Sequence, residues 1–305
     1  MIPATKFQRG KQLGTADLDD AREVCPVCRS SRQRRPVYRI QRDPDVAMLE
    51  CATCGAASAS HMPKPGVLET YFAQYYSDSS PHYTMDDPSR FARHVLRSMP
   101  DLRATTPLRI LDFGGGDGTL AVAIAKHLQS QGNSAPITID LVDYCEPRDP
   151  EDPHVSIDGY RDLASVEGGY DLILASGIFA HIPDAHTAIR QVIARAGRCA
   201  HMYARTPFIV PLARIIPLID ITYPGAVHDL GSVFWARFIE TFGMKGRMLS
   251  SRPSLVETTF ARAPARALVA HALKAPAMLE QALLSHNRPP RWSLVGGWEA
   301  VMRFE

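Results

Sequence analysis

Short apolar runs and segments with helical periodicity alternate from residue 108 onwards. An apolar run at 108–113 is bounded by a proline and by glycines, and helix-forming residues continue over 120–128. This pattern predicts a buried strand, a glycine turn and a helix. Similar patterns predict strands at 136–143, 154–157 and 170–176, a helix at 185–196, a strand at 198–206, a helix at 232–242, a strand at 250–259, a helix at 264–286 and a strand at 294–303. Alternating strands and helices predict an α/β fold with a doubly wound, Rossmann-like sheet.

Composition limits the class of protein. The chain has 305 residues, of which 45% are hydrophobic, as in a globular protein with one α/β domain and a small appendage. The net charge of +2 is too small to indicate nucleic acid or a membrane as partner. No apolar stretch reaches the roughly 18 residues of a membrane span, and the polar residues 1–20 contain no apolar signal core. We therefore expect a cytoplasmic protein without membrane contact.

Four of the six cysteines form two Cys-x-x-Cys pairs, which are separated by 22 residues. Four soft thiolates brought to one ion favour a structural zinc with no open coordination position. Unligated cysteines in a small core, or a redox pair, are the alternatives. The predicted zinc ligands are Cys25, Cys28, Cys51 and Cys54.

Two segments near the cysteines remain open to more than one interpretation. Six arginines occur in the fourteen residues 29–42, and this hairpin could bind phosphate, bind RNA or simply be solvated. Aromatic residues then cluster over 66–98 in a segment that is predicted to be helical. They could pack in the core or form a lid over a cofactor.

The glycine turn after the first predicted strand is where we expect a cofactor. Glycines at 114, 116 and 118 admit left-handed backbone and let a ligand approach without meeting a Cβ. The second strand ends in Asp143, 29 residues after Gly114, where a carboxylate holds a ribose diol in nucleotide-binding sheets. Asp140 competes with it but lies inside the strand. After the third strand, Asp158 or Tyr160 could reach an adenine.

The glycines do not complete the dinucleotide fingerprint G-x-G-x-x-G, because Thr119 stands at its third position. The acid-x-Gly-x-Gly-x-Gly pattern from Asp112 to Gly118 instead resembles that of the class I S-adenosylmethionine-dependent methyltransferases. The resemblance extends over about 108–206, and its other carriers are Asp143 and the segments 170–173 and 181–184.

This resemblance implies a mixed Rossmann-like sheet with an antiparallel closing strand, and S-adenosyl-L-methionine as the cofactor. It implies that Gly114 and Gly116 lie under the methionine part of the donor, that Asp143 holds the ribose, and that Asp112 lies near the methionine amine. The full set of expected donor contacts is Asp112, Gly114, Gly116, Asp117, Asp143, Tyr144, Asp158 and Ser176.

Two histidines are the candidate catalytic residues. Methyl transfer needs positioning, and it needs a base when the acceptor must lose a proton. His181 follows the fourth predicted strand, where the methyl group would be presented, and His228 is adjacent to Asp229, whose carboxylate could orient the imidazole. Either histidine could instead make a structural hydrogen bond. The expected substrate contacts are Tyr76, Tyr83, Arg205 and Tyr223.

We expect four regions along the chain. These are a flexible leader at 1–20, a zinc ribbon at 21–62, a helical connector or lid at 63–100 and a methyltransferase domain at 101–305. The apolar segment after the fifth strand predicts a helical lid insertion at about 207–232. Plain core packing or a dimer contact is the alternative for this segment.

The zinc module and the tyrosine- and serine-rich segment 75–80 also resemble sugar C-methyltransferases and related small-molecule enzymes, although the large C-terminal domain of the sugar enzymes does not occur in this sequence. The resemblance implies a nucleotide-linked sugar or a natural-product intermediate as acceptor, methylated on oxygen, nitrogen or carbon. The alternatives are a ribosomal or transfer RNA base methyltransferase and a non-catalytic, donor-binding subunit. Against RNA, residues 175–178 read Ala-Ser-Gly-Ile in place of an Asn/Asp-Pro-Pro-Tyr-like motif.

Overall fold

A computed structural model of the chain describes residues 12–77, 87–102, 107–132, 135–216, 219, 221–256, 264–283 and 288–305, without the side chains of 74–77 and 266. The strands within these ranges are β1 (Arg34–Gln41), β2 (Val46–Cys51), β3 (Ala57–Ala59), β4 (Leu108–Phe113), β5 (Ile137–Val142), β6 (Val155–Tyr160), β7 (Tyr170–Ser176), β8 (Ala196–Phe208), β9 (His228–Asp229), β10 (Gly246–Pro253) and β11 (Gly296–Phe304). The α-helices are α1 (Pro65–Ser77), α2 (Pro88–Arg97), α3 (Thr119–Ser130), α4 (Ala185–Ala194), α5 (Val210–Ala213), α6 (Ser232–Phe242) and α7 (Pro264–Leu283). None of the helices in these ranges is both long and apolar enough to cross a bilayer.

Seven strands form one mixed sheet in the order β10-β11-β8-β7-β4-β5-β6. The strands β8, β7, β4, β5 and β6 run parallel, whereas β11 lies antiparallel between β8 and β10. The predicted doubly wound, Rossmann-like mixed sheet is therefore confirmed. Because β4 pairs with β5 on one side and with β7 on the other, the strand order reverses at β4, and a crevice opens beyond its carboxyl end.

Alternate side chains of the central strands face two different hydrophobic cores. Ile110 packs in a core with Leu120 and Ile124 of α3, whereas Leu111 packs in a core with Ile189 of α4. Helices thus cover both faces of the sheet, which explains why the parallel strands have nearly continuous apolar sequences.

The second sheet has four strands in the order β1-β2-β3-β9. Its last strand comes from the insertion 207–232. The sequence predicted a helical insertion here, but among its described residues the only α-helix between β8 and α6 is the short α5. The described residues of the insertion form the short helix α5 and then run along the small sheet, where Val210, Ile221 and Val227 share a core with Met48. This packing explains why these three positions are apolar, and β9 covers the edge that β3 would otherwise expose.

Several predicted bounds differ near the edges of the large sheet. β6 extends to Tyr160, beyond the predicted end at 157, and β10 occupies Gly246–Pro253 in place of 250–259. Residues 254–295, which include α7, separate β10 from β11, so these strands do not form a tight hairpin.

Every described side chain that is exposed on α7 is apolar, and the largest of them are Leu268, Val269, Leu279 and Leu283.

Candidate active site

The glycine turn forms an open cradle at the carboxyl end of β4. Gly116 has a φ of +65°, and a Cβ added there would meet no atom of the described residues within 4 Å. A Cβ on the neighbouring Gly115 would lie 2.2 Å from the carboxylate of Asp112. The turn therefore closes over Asp112 on its inner side and leaves room for a ligand on its outer side.

Asp112 is a buried carboxyl group directly beneath this turn. Its side chain is 1% exposed, and within the described part of the chain its Oδ2 has no hydrogen-bond partner. Burial, followed by the negative charge of Asp143, raises the pKa of Asp112 to about 7. An unpaired polar atom in such a position is a candidate for pairing with a ligand group.

Asp143 follows β5 and borders the same cradle. Its Oδ2 accepts a hydrogen bond from the Gly116 amide at 2.9 Å, and its Oδ1 accepts one from the Tyr144 amide at 2.6 Å. The ring of Tyr144 is 68% exposed beside this carboxylate. The structure thus brings together five of the predicted donor contacts, namely Asp112, Gly114, Gly116, Asp143 and Tyr144.

The remaining predicted donor contacts have other surroundings. The Oδ1 of Asp117 accepts a hydrogen bond from the Thr119 amide at 3.1 Å, so this carboxylate caps the first turn of α3. Ser176 ends β7, and its Oγ accepts a hydrogen bond from Nε of Arg205 at 3.2 Å. The expectation that Asp158 follows the third strand is wrong, because β6 continues to Tyr160 and Asp158 lies inside it, opposite Asp140.

His181 lies just after β7, at the end of a 3-10 turn formed by Ile178–Ala180. Its Nδ1 is 2.6 Å from the carbonyl oxygen of Gly225, which can only accept, so Nδ1 carries the proton. In the described structure Nε2 has no hydrogen bond, and the ring meets that of Phe72 edge-on at 5.9 Å. Burial lowers the pKa of His181. A neutral imidazole with an available Nε2 lone pair results.

His228 carries its proton on the other ring nitrogen. Its Nε2 lies 2.9 Å from the carbonyl oxygen of Ile182 and therefore carries the proton, while its Nδ1 accepts a hydrogen bond from Oγ of Ser58 at 2.8 Å. The side chain is 1% exposed, and burial lowers its pKa to about 4. Both ring nitrogens are occupied, so the geometry does not support His228 as a base.

Asp229 does not orient His228 in the way that their adjacency suggested. Its two oxygens accept hydrogen bonds from the backbone amides of Ile209 at 2.6 Å and Val210 at 3.1 Å. Burial raises its pKa to about 7. Successive residues of a strand point to opposite sides, and this explains why the carboxylate serves the start of α5 instead.

The structure does not bring the predicted substrate contacts together at one site. Tyr223 is 1% exposed, and its hydroxyl donates to the carbonyl oxygen of His61 at 3.1 Å, so it is a packing residue of the small sheet. Arg205 donates to Ser176 and lies 5.9 Å from the ring centre of Phe91. The side chain of Tyr76 and the whole of Tyr83 lie outside the described residues.

The four predicted metal ligands form one cluster. The Sγ atoms of Cys25 and Cys54 are 3.8 Å apart, those of Cys28 and Cys51 are 3.7 Å apart, and all four lie within 4.8 Å of one another. Tetrahedral zinc with Zn–S bonds of about 2.3 Å requires sulfur separations of roughly 3.8 Å, so these cysteines fit the ion.

One buried charged network was not anticipated from the sequence. Glu299 of β11 is 2% exposed, and its Oε1 lies 2.7 Å from Nε2 of His94 and 2.6 Å from Nε of Arg252. Its Oε2 accepts a hydrogen bond from the Tyr203 hydroxyl at 3.2 Å. The four residues come from α2, β8, β10 and β11, so no local pattern could have indicated the network.

Comparison with known proteins places this geometry in context. A family model described as a methyltransferase domain matches residues 82–241, just over half of the 305-residue chain. Similar solved structures include the [4+2]-cyclase SpnF, with 16% identity over 71% of this chain and 80% of that chain, at a TM-score of 0.42. They also include the plantazolicin methyltransferase BpumL in complex with SAH, with 14% identity over 78% and 90% of the two chains and a TM-score of 0.45. An S-adenosylmethionine-dependent methyltransferase from Mesorhizobium loti has 15% identity over 69% and 96%, at 0.41. No curated protein matches the chain.

Proposed function

The chain belongs to the methyltransferase domain family, and on this premise we propose that it transfers a methyl group from S-adenosylmethionine to a small-molecule acceptor. The observation that carries the proposal is the cradle at the switch point of the sheet. There Gly116 has an open face and donates to the carboxylate of Asp143, and the neighbouring Gly115 covers Asp112, whose buried Oδ2 has no partner among the described residues. This set of groups fits a cationic, ribose-containing donor.

The residues around the cradle have separate roles in this proposal. When bound, S-adenosylmethionine supplies an electrophilic methyl group on its sulfonium. Asp112 offers its carboxylate to the amino group of the donor, and a cation there would favour the charged form of Asp112. Asp143 offers oxygen atoms to the ribose hydroxyls, and the exposed ring of Tyr144 offers a surface beside the nucleoside.

His181 is the base or substrate contact that the geometry favours. The hydrogen bond to Gly225 fixes the ring and its tautomer, so that Nε2 remains an acceptor. Where the acceptor atom must lose a proton on methylation, Nε2 of His181 would accept that proton. The lowered pKa keeps the imidazole neutral and ready to accept a proton near pH 7.

We assign the cysteine cluster to a structural zinc ion. Cys25, Cys28, Cys51 and Cys54 complete a tetrahedral shell and leave no open position for a substrate or a reactive water. The ion would therefore stabilise the small sheet and take no part in the chemistry.

The arginine hairpin favours a small-molecule acceptor over RNA. Arg29 is bound to Asp184, Arg34 donates to the carbonyl oxygen of Arg22, Arg35 pairs with Glu50 and Arg39 pairs with Asp45. Four of the six arginines are thus engaged within the chain, so less positive charge is available for phosphates than the sequence suggested.

Donor binding to a glycine variant tests the proposal. Asparagine tolerates left-handed backbone, so Gly116→Asn fills the cradle without straining the turn. Gly132→Asn is the matched control. Gly132 also has a positive φ, of +87°, and an added Cβ would meet no atom of the described residues within 4 Å, but it lies after α3. We expect isothermal titration with S-adenosylhomocysteine to show binding at least about tenfold weaker for Gly116→Asn, or a loss of 1.4 kcal/mol or more.

The control variant should bind the probe as the parent protein does, within about twofold. Equal affinities for the two variants would remove the cradle as the donor site. A parent protein that binds no S-adenosylhomocysteine would overturn the proposed function.

A further inference from the structure

The loop that carries His181 is contacted on several sides by the cysteine-bearing part of the chain. We name residues 177–184, between β7 and α4, the active-site loop. It approaches the donor cradle as well, because a Cβ added to Gly114 would lie 2.5 Å from Cβ of Ile178. The position of this loop therefore determines where His181 stands relative to the glycine turn.

The first cysteine pair contacts the carboxyl end of the active-site loop. Nη2 of Arg29, the residue after Cys28, donates to both carboxylate oxygens of Asp184 at 2.7 Å. Asp184 also caps α4, accepting from the Thr187 amide at 3.2 Å. His186 in the first turn of α4 donates its amide to the carbonyl oxygen of Pro26 at 3.1 Å. The turn between Cys25 and Cys28 thus covers the point where the loop becomes a helix.

The small sheet contacts the middle of the loop through the segment 225–228. Ser58 of β3 donates to Nδ1 of His228, and Nε2 of His228 donates to the carbonyl oxygen of Ile182 at 2.9 Å. The Val227 amide donates to the carbonyl oxygen of Ala180 at 2.8 Å. Nδ1 of His181 itself donates to Gly225 in the same segment. Three consecutive residues of the loop, 180–182, are therefore bonded to one segment that pairs with β3.

The second cysteine pair contacts α6, which packs in the same hydrophobic core as α4. Nη1 of Arg237 donates to the carbonyl oxygens of Ala52 and Thr53 at 2.8 and 2.9 Å. A Cβ on Gly55 would lie 2.4 Å from a side-chain atom of Val233. Three of the cysteines also share one hydrophobic core with Phe234. The cluster is consequently built into the transferase domain and is not tethered to it by a linker.

From these contacts we propose that the four-cysteine site is a positioning device for the active-site loop. A metal ion bound by the cysteines would fix the two cysteine turns. The first turn then keeps Arg29 bonded to Asp184. The second fixes the position of β3, so that Ser58 bonds His228 and His228 bonds the carbonyl oxygen of Ile182. Arg29, Ser58 and His228 are accordingly positioning residues for His181. The role of these residues in catalysis rests on the proposed function. The structural coupling between the metal site and the active-site loop does not.

Amide hydrogen exchange in the zinc-loaded protein tests the coupling. Arg29→Gln removes the contact with Asp184, and Arg29→Lys retains a charge that partly replaces it. Arg35→Gln is the matched control, since Arg35 pairs with Glu50 inside the small sheet and no contact joins it to the loop in the described structure. Ser58→Ala tests the second connection.

We expect Arg29→Gln and Ser58→Ala to keep their zinc and their thermal midpoint within a few degrees. Exchange of the amides in 178–184 should rise at least about fivefold in both, with Arg29→Lys between Arg29→Gln and the parent. Exchange in β5 and β6, on the far side of the cradle, should not change, and Arg35→Gln should match the parent throughout. Unchanged exchange in 178–184 for both Arg29→Gln and Ser58→Ala would overturn the proposal.

Metal removal from the parent protein gives a second readout, with S-adenosylhomocysteine as the probe. Chelation should raise exchange in 178–184 and 225–229 before it raises exchange in β5 and β6, and readdition of zinc should reverse the effect. Uniform exchange changes across the chain would overturn the proposal. If the loop responds to zinc but the parent binds no S-adenosylhomocysteine, the proposed function fails and the coupling stands.

Discussion

His181 and His228 show how the same residue type obtains two different roles from its neighbours. Each ring has one nitrogen beside a carbonyl oxygen, which forces that nitrogen to carry the proton. For His181 this nitrogen is Nδ1, and Nε2 remains an acceptor. For His228 it is Nε2, and Nδ1 is already bonded to Ser58. Only His181 therefore has a lone pair with which to accept a proton from a substrate.

We predict that nitrogen-15 NMR of labelled histidine will find opposite tautomers at the two sites, Nδ1–H at His181 and Nε2–H at His228. His181 should gain its second proton at a pH below the ordinary value of about 6.5, and His228 only near pH 4, because burial disfavours both charged forms. His181→Gln and His228→Gln assign the signals. An Nε2–H tautomer at His181 would contradict its assignment as the base.

Burial disfavours the charged form of carboxyl groups as well, so it raises their pKa where it lowers that of the histidines. Burial raises the pKa of Asp112 and that of Asp229 to about 7. Asp229 has backbone donors for both of its oxygens, whereas Oδ2 of Asp112 has none in the described structure. This difference separates a carboxylate that stabilises the fold from one that is available to a ligand.

At the scale of single elements, α7 has an unusual distribution of side chains. Its polar Lys274 and Gln281 are buried, at 7% and 5% exposure, and Nζ of Lys274 donates to the carbonyl oxygen of Ser254. Its described exposed residues, in contrast, are all apolar. The apolar residues on the outer face of α7 are therefore not buried against the described part of the chain.

We predict that Leu279→Glu will change the thermal midpoint by no more than about 2 °C, because this leucine is already 67% exposed. Ala277→Glu, two residues earlier on the buried face, should lower it by about 10 °C or more, since an unpaired charge would enter the core. Differential scanning calorimetry of the two variants measures both effects. A large loss of stability in Leu279→Glu would mean that the outer face packs against part of this chain.

At the scale of the whole molecule, the predicted zinc ribbon and the transferase domain share their core. Cys25, Cys51 and Cys54 belong to the same buried cluster as Trp235 of α6 and Trp298 of β11. The insertion 207–232 also joins the two parts, because it leaves the large sheet after β8 and supplies β9 to the small sheet. A shared core favours unfolding as one cooperative unit.

We predict a single thermal transition for the zinc-loaded protein. Cys54→Ser should lower its midpoint by about 10 °C or more, because a structural zinc contributes several kcal/mol to folding. Cys199→Ser is the control, since Cys199 is exposed and lies outside the cluster. Two separate transitions, with only the smaller one sensitive to a chelator, would show that the small sheet folds independently.

The sequence alone was sufficient for features that depend on neighbours along the chain. The alternation of apolar runs and helical segments predicted the strands of the large sheet, because burial on both faces leaves a local pattern. The glycines at 114, 116 and 118 and the two Cys-x-x-Cys pairs likewise have requirements of backbone conformation and ligand spacing that short segments express. The turn, the cysteine cluster and the position of His181 after a strand could all be predicted in this way.

Only the tertiary structure determined which partner each polar group has. His228 and Asp229 are adjacent in sequence, yet one binds Ser58 and Ile182 and the other binds the amides at 209 and 210. The pairing of β9 with β3 and the network around Glu299 join residues that are far apart along the chain. Such pairings depend on how the sheets and helices pack, and local periodicity does not encode them. The sequence therefore determined the chemical groups present, and the fold decided which of them remain available to a ligand.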